Sequence, residues 1–208
     1  MPELFKKNIG LNSLLAVWQI TETTNELLKL LNGPVNFIVL DVNEQLKQQR
    51  ICARILLNLL LEGPRNEIMY DRFNKPSLIH SASKISISHA HDYVAVIVNK
   101  INETGIDIEL IKSKIERIAP RFMSEKELKG LQSNNRIEQL ITYWCAKETL
   151  YKYYGKKELS FRENIFIEPF NQSNSGNIVG HINTKHFNIE LNLCYEKIAD
   201  YLLVYVND

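Results

Sequence analysis

Cysteine is scarce. Only three of 208 residues are cysteine, Cys52, Cys145 and Cys194, and their spacing makes neither a disulfide framework nor a metal-binding knuckle. Reduced thiols in a cytoplasm are therefore expected. A charge excess is missing as well. Lys and Arg number 25 against 24 Asp and Glu, for a net charge of +1, so no global field points to nucleic acid and any anion site must be local. Long apolar runs are absent. The longest, "ILLNLLL" at 55–61, is far too short to span a bilayer. No leader is expected either: Asn12, Ser13 and Gln19 interrupt the apolar stretch behind the basic start, and no small-residue cleavage site follows. The letters show no internal repeat and no low-complexity segment.

What is present is an ordinary globular balance, 45% hydrophobic and 24% charged, in a chain long enough for one large domain or two small ones. "SLLAVWQI" reads as a strand. "TETTNELLKLL" reads as a helix with Thr21 or Thr23 as cap. "VNFIVLDVN" at 35–43 is ambiguous between strand and helix lead-in. "EQLKQQRICARILLNLLLE" is a strong helix, with Leu46, Ile51, Ile55 and Leu59 at helical spacing. "GPRNE" and "NKPS" are loops; "KISISH", "YVAVIVNK" and "GIDIELI" are strands. "SEKELKGL" opens on a capping box, Ser124 with Glu127. "RIEQLITYWCAKETLYKYYG" is a long helix, started by an Asn and stopped by Gly155. Strands dominate the tail, with short turns such as "NSGN". Helices and hairpin-like strands in both halves predict an α+β class. The lightest linker lies near 100–104, dividing the chain into 1–103 and 104–208.

Four features could carry chemistry. Asp107 and Glu109 stand at i and i+2 of a strand and so share a face. Either that face is wet, or the pair leans toward a hard cation such as Mg2+, which prefers oxygen ligands. On the long helix Trp144, Glu148, Tyr151 and Lys152 form one stripe, with Lys147 beside it. This adds a third carboxylate and a cation, or merely a surface Glu–Lys pair. Lys47, Arg50 and Arg54 form a basic stripe opposite the leucines, able to hold a phosphate or simply to face water. Ser88 and His89, close to a turn before Tyr93, could offer donors to an anion. Nucleophilic catalysis by that pair is set aside, since no nucleophile elbow and no orienting acid accompany it.

Taken in order, Asn74-Lys75-Pro76, Ser88-His89 with Tyr93, Gly105-Ile106-Asp107-Ile108-Glu109, and Trp144-Cys145-Ala146-Lys147-Glu148 with Lys152 form a recognisable series. The chain resembles the 4'-phosphopantetheinyl transferase superfamily, most of all its surfactin-type (Sfp-like) branch. The resemblance spans about residues 44 to 160. It implies a pseudo-twofold pair of α/β halves, each with a small antiparallel sheet packed on helices, and a coenzyme cleft between them within a monomer. It implies Mg2+ held by Asp107, Glu109 and Glu148 against the pyrophosphate of coenzyme A, with Lys152 neutralising charge. Ser88 and His89 would touch coenzyme A phosphates, Lys75 would lie beside the nucleotide, and Arg54 with Lys47 or Arg50 would grip the 3'-phosphate. Three departures stand out: Asn74 for the usual Gly, Ala90 for Ser or Thr, and Gln48 and Gln49 thinning the basic run.

The implied reaction transfers phosphopantetheine from coenzyme A to a serine of an apo acyl or peptidyl carrier protein, releasing 3',5'-ADP. Glu148, directly or through water, is the candidate base, and Lys152 offsets charge on the leaving phosphate. Carrier proteins of this kind are acidic helical bundles. "KSKIERIAPRF" suggests a docking face, with Lys112, Lys114, Arg117 and Arg121 around Ile115, Ile118 and Phe122, or a plain amphipathic helix. Two rival readings are a catalytically silent coenzyme A- or carrier-binding module and a Mg2+-dependent nucleotide hydrolase.

Overall fold

The apolar stretch at 13–19 forms the strand that its composition predicts, and it lies second in the first of two sheets. The computed structural model describes residues 4–31, 42–62 and 67–207. Of the ambiguous stretch 35–43, residues up to 41 lie outside the described residues, as do residues 63–66 of the expected loop. The chain divides into two compact units, Met1–Glu103 and Thr104–Asp208.

The first unit runs β1 (Leu4–Ile9), β2 (Ser13–Gln19), α1 (Thr24–Leu31), α2 (Glu44–Leu60), β3 (Ile68–Tyr70), β4 (Pro76–Leu78), β5 (Lys84–Ala90) and β6 (Tyr93–Asn99). Its strands form one antiparallel sheet in the order β1-β2-β6-β5-β4-β3. Strand β1 is unexpected from its composition. An edge strand needs only backbone pairing on one side, and Lys6 and Lys7 suit that position. Helix α2 begins at Asn43, whose side chain accepts from Leu46 N–H. Helix α1 is capped by Thr23, the second of the two expected candidates, through a reciprocal pair with Glu26. Leu27, Ile51, Ile55 and Leu56 from these helices pack with Ala16, Trp18, Val94, Val96 and Val98 of the sheet.

The second unit runs β7 (Ile106–Leu110), α3 (Ile115–Phe122), α4 (Glu125–Lys129), α5 (Arg136–Tyr154), β8 (Ile165–Ile167), β9 (Ser175–Asn183), β10 (Asn188–Ile198) and β11 (Tyr201–Val206). The sheet order is β7-β11-β10-β9-β8, again antiparallel. The expected capping box of Ser124 and Glu127 forms. Asn135 stands at the N-cap of α5 but in the left-handed region, at φ 58°, and its side chain makes no cap bond. Gly155 stops α5 at φ 67°, a conformation that glycine adopts without cost. The "NSGN" turn does not form, because β9 already begins at Ser175. Two antiparallel sheets packed on helices make the α+β class expected from the sequence.

The two units share one topology. Leaving out β1, the orders β2-β6-β5-β4-β3 and β7-β11-β10-β9-β8 are the same connection drawn twice. The details agree. The β5–β6 and β10–β11 hairpins each turn through two residues, His91-Asp92 and Ala199-Asp200, and the first of each has φ 50°. In each unit the residue just past the first common strand donates its N–H to the turn aspartate's carbonyl: Ile20 to Asp92 at 2.6 Å and Ile111 to Asp200 at 2.9 Å. With this register, "DYVAVIV" at 92–98 lies over "DYLLVYV" at 200–206, a short repeat that a reading of the letters passed over.

Candidate active site

On β7, Asp107 faces Val204 and Glu109 faces Leu202 across the ladder. Both partners belong to the core beneath α5, and opposed residues in an antiparallel pair share a face. The acids therefore point toward α5, not toward open water, and Asp107 is only 3% exposed. The wet-face alternative for this strand fails on that geometry. In the other unit's register, the places of Asp107 and Glu109 are taken by Ala16 and Trp18, both core residues. The fold asks for apolar side chains there, so two acids at these positions answer some other need.

Helix α5 lies against β7 and β11 and carries the rest of the cluster. Lys152 Nζ donates to Asp107 Oδ1 at 2.7 Å and to the Ile106 carbonyl at 3.0 Å. Trp144 Nε1 donates to Glu109 Oε1 at 3.3 Å. Burial, then the charge of Asp107, push the Glu148 carboxyl up to about 7; Glu109 adds to the rise and Lys152 opposes it. Burial and the Asp107 charge raise Glu109 too. The three carboxylates thus sense one another, with one lysine among them. Among the described residues, no three His, Cys, Asp or Glu side chains stand close enough together to hold one metal ion. Three mutually repelling carboxylates have the chemistry of a hard-cation donor set, but as they stand they are not gathered around one point.

Gly105 makes the approach possible. A Cβ there would lie 2.2 Å from the Thr149 carbonyl oxygen of α5, so only glycine lets the helix backbone come this close to the strand. Lys147, placed by sequence beside Glu148, turns the other way. It is fully buried and donates to Glu127 Oε2 at 2.9 Å, to the Ile165 carbonyl at 2.6 Å and to the Phe161 carbonyl at 2.8 Å. Glu127 in turn accepts from Ile167 N–H at 3.0 Å. The capping signal at Ser124 found Glu127 but not this second role. Cys145 sits behind the acids, and burial raises its thiol far above the usual range, so it is inert.

The basic stripe of Lys47, Arg50 and Arg54 lies in the first unit. Arg54 is half-buried on α2 and donates to the Arg50 carbonyl at 3.0 Å. Burial disfavours its charged form, and among the described residues no carboxylate pairs with it. Lys47 lies 3.4 Å from Glu44. The two glutamines that thin the basic run are structural ties: Gln48 donates to the Glu22 carbonyl at 3.1 Å and Gln49 to the His91 carbonyl at 2.7 Å. The second tie joins α2 to the hairpin that ends β5, the strand on which Ser88 is buried and His89 exposed.

Asn74 adopts φ 65°, the left-handed conformation its glycine counterpart would favour and asparagine tolerates. The loop around it is pinned by Asp71 Oδ1, which accepts from Phe73 and Lys75 N–H at 2.8 and 2.9 Å. Lys75 Nζ meets Glu103 at 2.6 Å, and Lys84 meets the same carboxylate at 3.2 Å. These residues line a cavity of about 310 Å³ with Pro76, Ser77 and Ile85. Sequence reasoning missed Glu103, which sits in the linker without motif or periodicity to mark it.

On α3, Ile115 and Phe122 are buried, which removes them from any docking face. Lys112, Lys114, Arg117 and Arg121 are exposed and Ile118 is half-buried. Among the described residues no helix is long and apolar enough to cross a membrane.

A strand with two acids thus lies beneath a helix bearing a glutamate and a lysine, three carboxylates and one cation in a single cluster of the second unit. The model of the 4'-phosphopantetheinyl transferase superfamily matches residues 103–206, half of the chain, and the protein belongs to that family. No curated protein matches the chain.

Proposed function

We propose that this protein transfers the 4'-phosphopantetheine group from coenzyme A to a serine hydroxyl of an apo acyl or peptidyl carrier protein, releasing 3',5'-ADP, and that it belongs to the Sfp-like branch. The observation that carries the reading is the pair Asp107 and Glu109, set where the fold's other copy keeps Ala16 and Trp18. Asp107, Glu109 and Glu148 would hold Mg2+. When bound, the ion supplies Lewis-acid polarisation of the pyrophosphate and screens its charge.

The chain's own residues do the remainder. The carrier serine must lose a proton as its oxygen attacks the phosphorus, and Glu148, directly or through water, is the proposed acceptor. The bond broken is that from phosphorus to the oxygen of the leaving 3',5'-ADP, and the positive charge of Lys152 offsets the negative charge gathering there. Arg54, with Lys47 or Arg50, would bind the 3'-phosphate, Ser88 and His89 the other phosphates, and Lys75, with its cavity, the nucleotide. The exposed cations on and just before α3, Lys112, Lys114, Arg117 and Arg121, would steer an acidic carrier. The protein would work as a monomer in the cytoplasm, where its three free cysteines would stay reduced.

The test is direct. Apo carrier protein is incubated with coenzyme A, Mg2+ and the enzyme, and its mass is measured. A gain of one phosphopantetheine supports the proposal. Coenzyme A binding without any gain would make the chain a silent binding module, and release of nucleotide without carrier would make it a hydrolase.

A further inference from the structure

We infer that Glu103 is a specificity-determining residue whose carboxylate accepts a hydrogen bond from the exocyclic amino group of the nucleotide's base, an inference that rests on the nucleotide role proposed for Lys75 and its cavity. That cavity lies wholly in the first unit, lined by residues between Asp71 and Glu103. Glu103 is held there from two sides. Lys75 Nζ lies 2.6 Å from Oε2, and Lys84 Nζ lies 3.2 Å from Oε1. Burial acts to raise the Glu103 carboxyl, but the bonds and charges of the two lysines outweigh it and hold the group below the usual carboxylate range. The carboxylate is therefore ionised at neutral pH and fixed in direction. Each of its oxygens has two acceptor sites, and one lysine uses one site on each. A donor on a ligand can use another.

Charge decides what the cavity can take. Among its lining residues Lys75 and Lys84 stand against Asp71 and Glu103, two of each sign, so the formal charges cancel. A phosphate needs a surplus of positive charge and would meet an ionised carboxylate here. A neutral ring meets no such barrier, and Pro76 and Ile85 give it apolar wall. The volume of about 310 Å³ is at the lower end of ligand pockets, which run from roughly 300 to 1,000 Å³. It has room for the base and not for the whole coenzyme. Adenine carries an exocyclic amino group, a donor that suits Glu103. Hypoxanthine carries a keto oxygen in its place, which would face the carboxylate acceptor to acceptor.

The experiment measures the binding of coenzyme A and of its keto counterpart, with hypoxanthine in place of adenine, by calorimetry. The proteins are full-length wild type, Glu103→Ala and Glu103→Gln, with no carrier present. Wild type should prefer coenzyme A about tenfold, the scale of one hydrogen bond to a charged group. Glu103→Ala should bring the two affinities close to equality. Glu103→Gln keeps the size of the side chain and adds an amide N–H that can meet a keto oxygen, so its preference should fall as well. It decides the matter if Glu103→Ala does not fold. Equal wild-type affinity for the two forms would overturn the inference while leaving the transferase reading intact. Variants that lose affinity for both forms alike, with the tenfold preference kept, would make Glu103 only a prop for the two lysines and overturn it as well. Wild-type protein that binds neither form would overturn the coenzyme A reading and this role together.

Discussion

Lys147 Nζ lies 2.9 Å from Glu127 Oε2, and neither side chain reaches solvent. The pair ties α5 to α4, and the further bonds to Ile165 and Ile167 tie both to β8. Removing one partner leaves the other charge buried and uncompensated, which costs about 3–5 kcal/mol. Lys147→Met should therefore lower stability by that amount in denaturant unfolding, and Lys147→Met with Glu127→Leu should recover part of it. A double variant no better than the single would mean that the carbonyl bonds, not the ion pair, matter.

Asp107→Asn should keep the fold and lose Mg2+-dependent carrier modification. The amide preserves shape and can still accept from Lys152, but it offers a cation only a neutral oxygen. Asp107→Ala should abolish transfer and Asp107→Glu should leave a trace, because Mg2+ tolerates little displacement of a ligand. Carrier modification followed by mass spectrometry across a Mg2+ titration checks this. Near-normal modification by Asp107→Asn would remove the metal site from the mechanism.

Gly105→Ala should destabilise the second unit by about 1–3 kcal/mol, as overpacking does, and reduce transfer. The new methyl would stand 2.2 Å from the Thr149 carbonyl oxygen, and only movement of α5 away from β7 relieves that. A wild-type melting temperature in Gly105→Ala would show that the helix moves freely.

The metal-free protein should lose stability as pH rises from about 4.5 to about 7. Glu148 has an ordinary pKa of 4.5 when unfolded and about 7 when folded. Below pH 4.5 it is protonated in both states and costs nothing. Between the two values the folded state binds the proton more tightly, so each rise in pH disfavours folding, and above 7 the loss is complete. Glu109 is raised as well and adds to the same slope. Glu148→Gln should flatten the fall in melting temperature across this window; an unchanged slope would assign the dependence elsewhere.

Arg54→Ala should raise the coenzyme A requirement more than it slows turnover. Arg54 lies in the first unit, on a different element from the acids. The variant and wild type are compared on coenzyme A and on its 3'-dephospho form. An undiminished preference for the 3'-phosphate in the variant would remove Arg54 from that site.

Much of this protein was legible in its letters. Periodicity gave the long helices at 44–60 and 136–154, because a buried helix face repeats every three to four residues whatever surrounds it. Gly105 and the acids of β7 could be read as a motif, since their chemistry is uncommon in a strand. The sequence alone left open which way that strand faced, because alternation names two faces without saying which is covered. Only the pairing of β7 with β11, which sets Asp107 against Val204 under α5, decided it. The same holds for Lys147 and Lys152. They are five residues apart on one helix, yet one is sealed in the core with Glu127 and the other meets Asp107, because a helix's neighbours in space are chosen by packing and not by spacing. The repeated topology was likewise hidden. Two short runs, "DYVAVIV" and "DYLLVYV", were its only trace in the letters, since a fold constrains the burial pattern of a strand far more tightly than the residues that satisfy it.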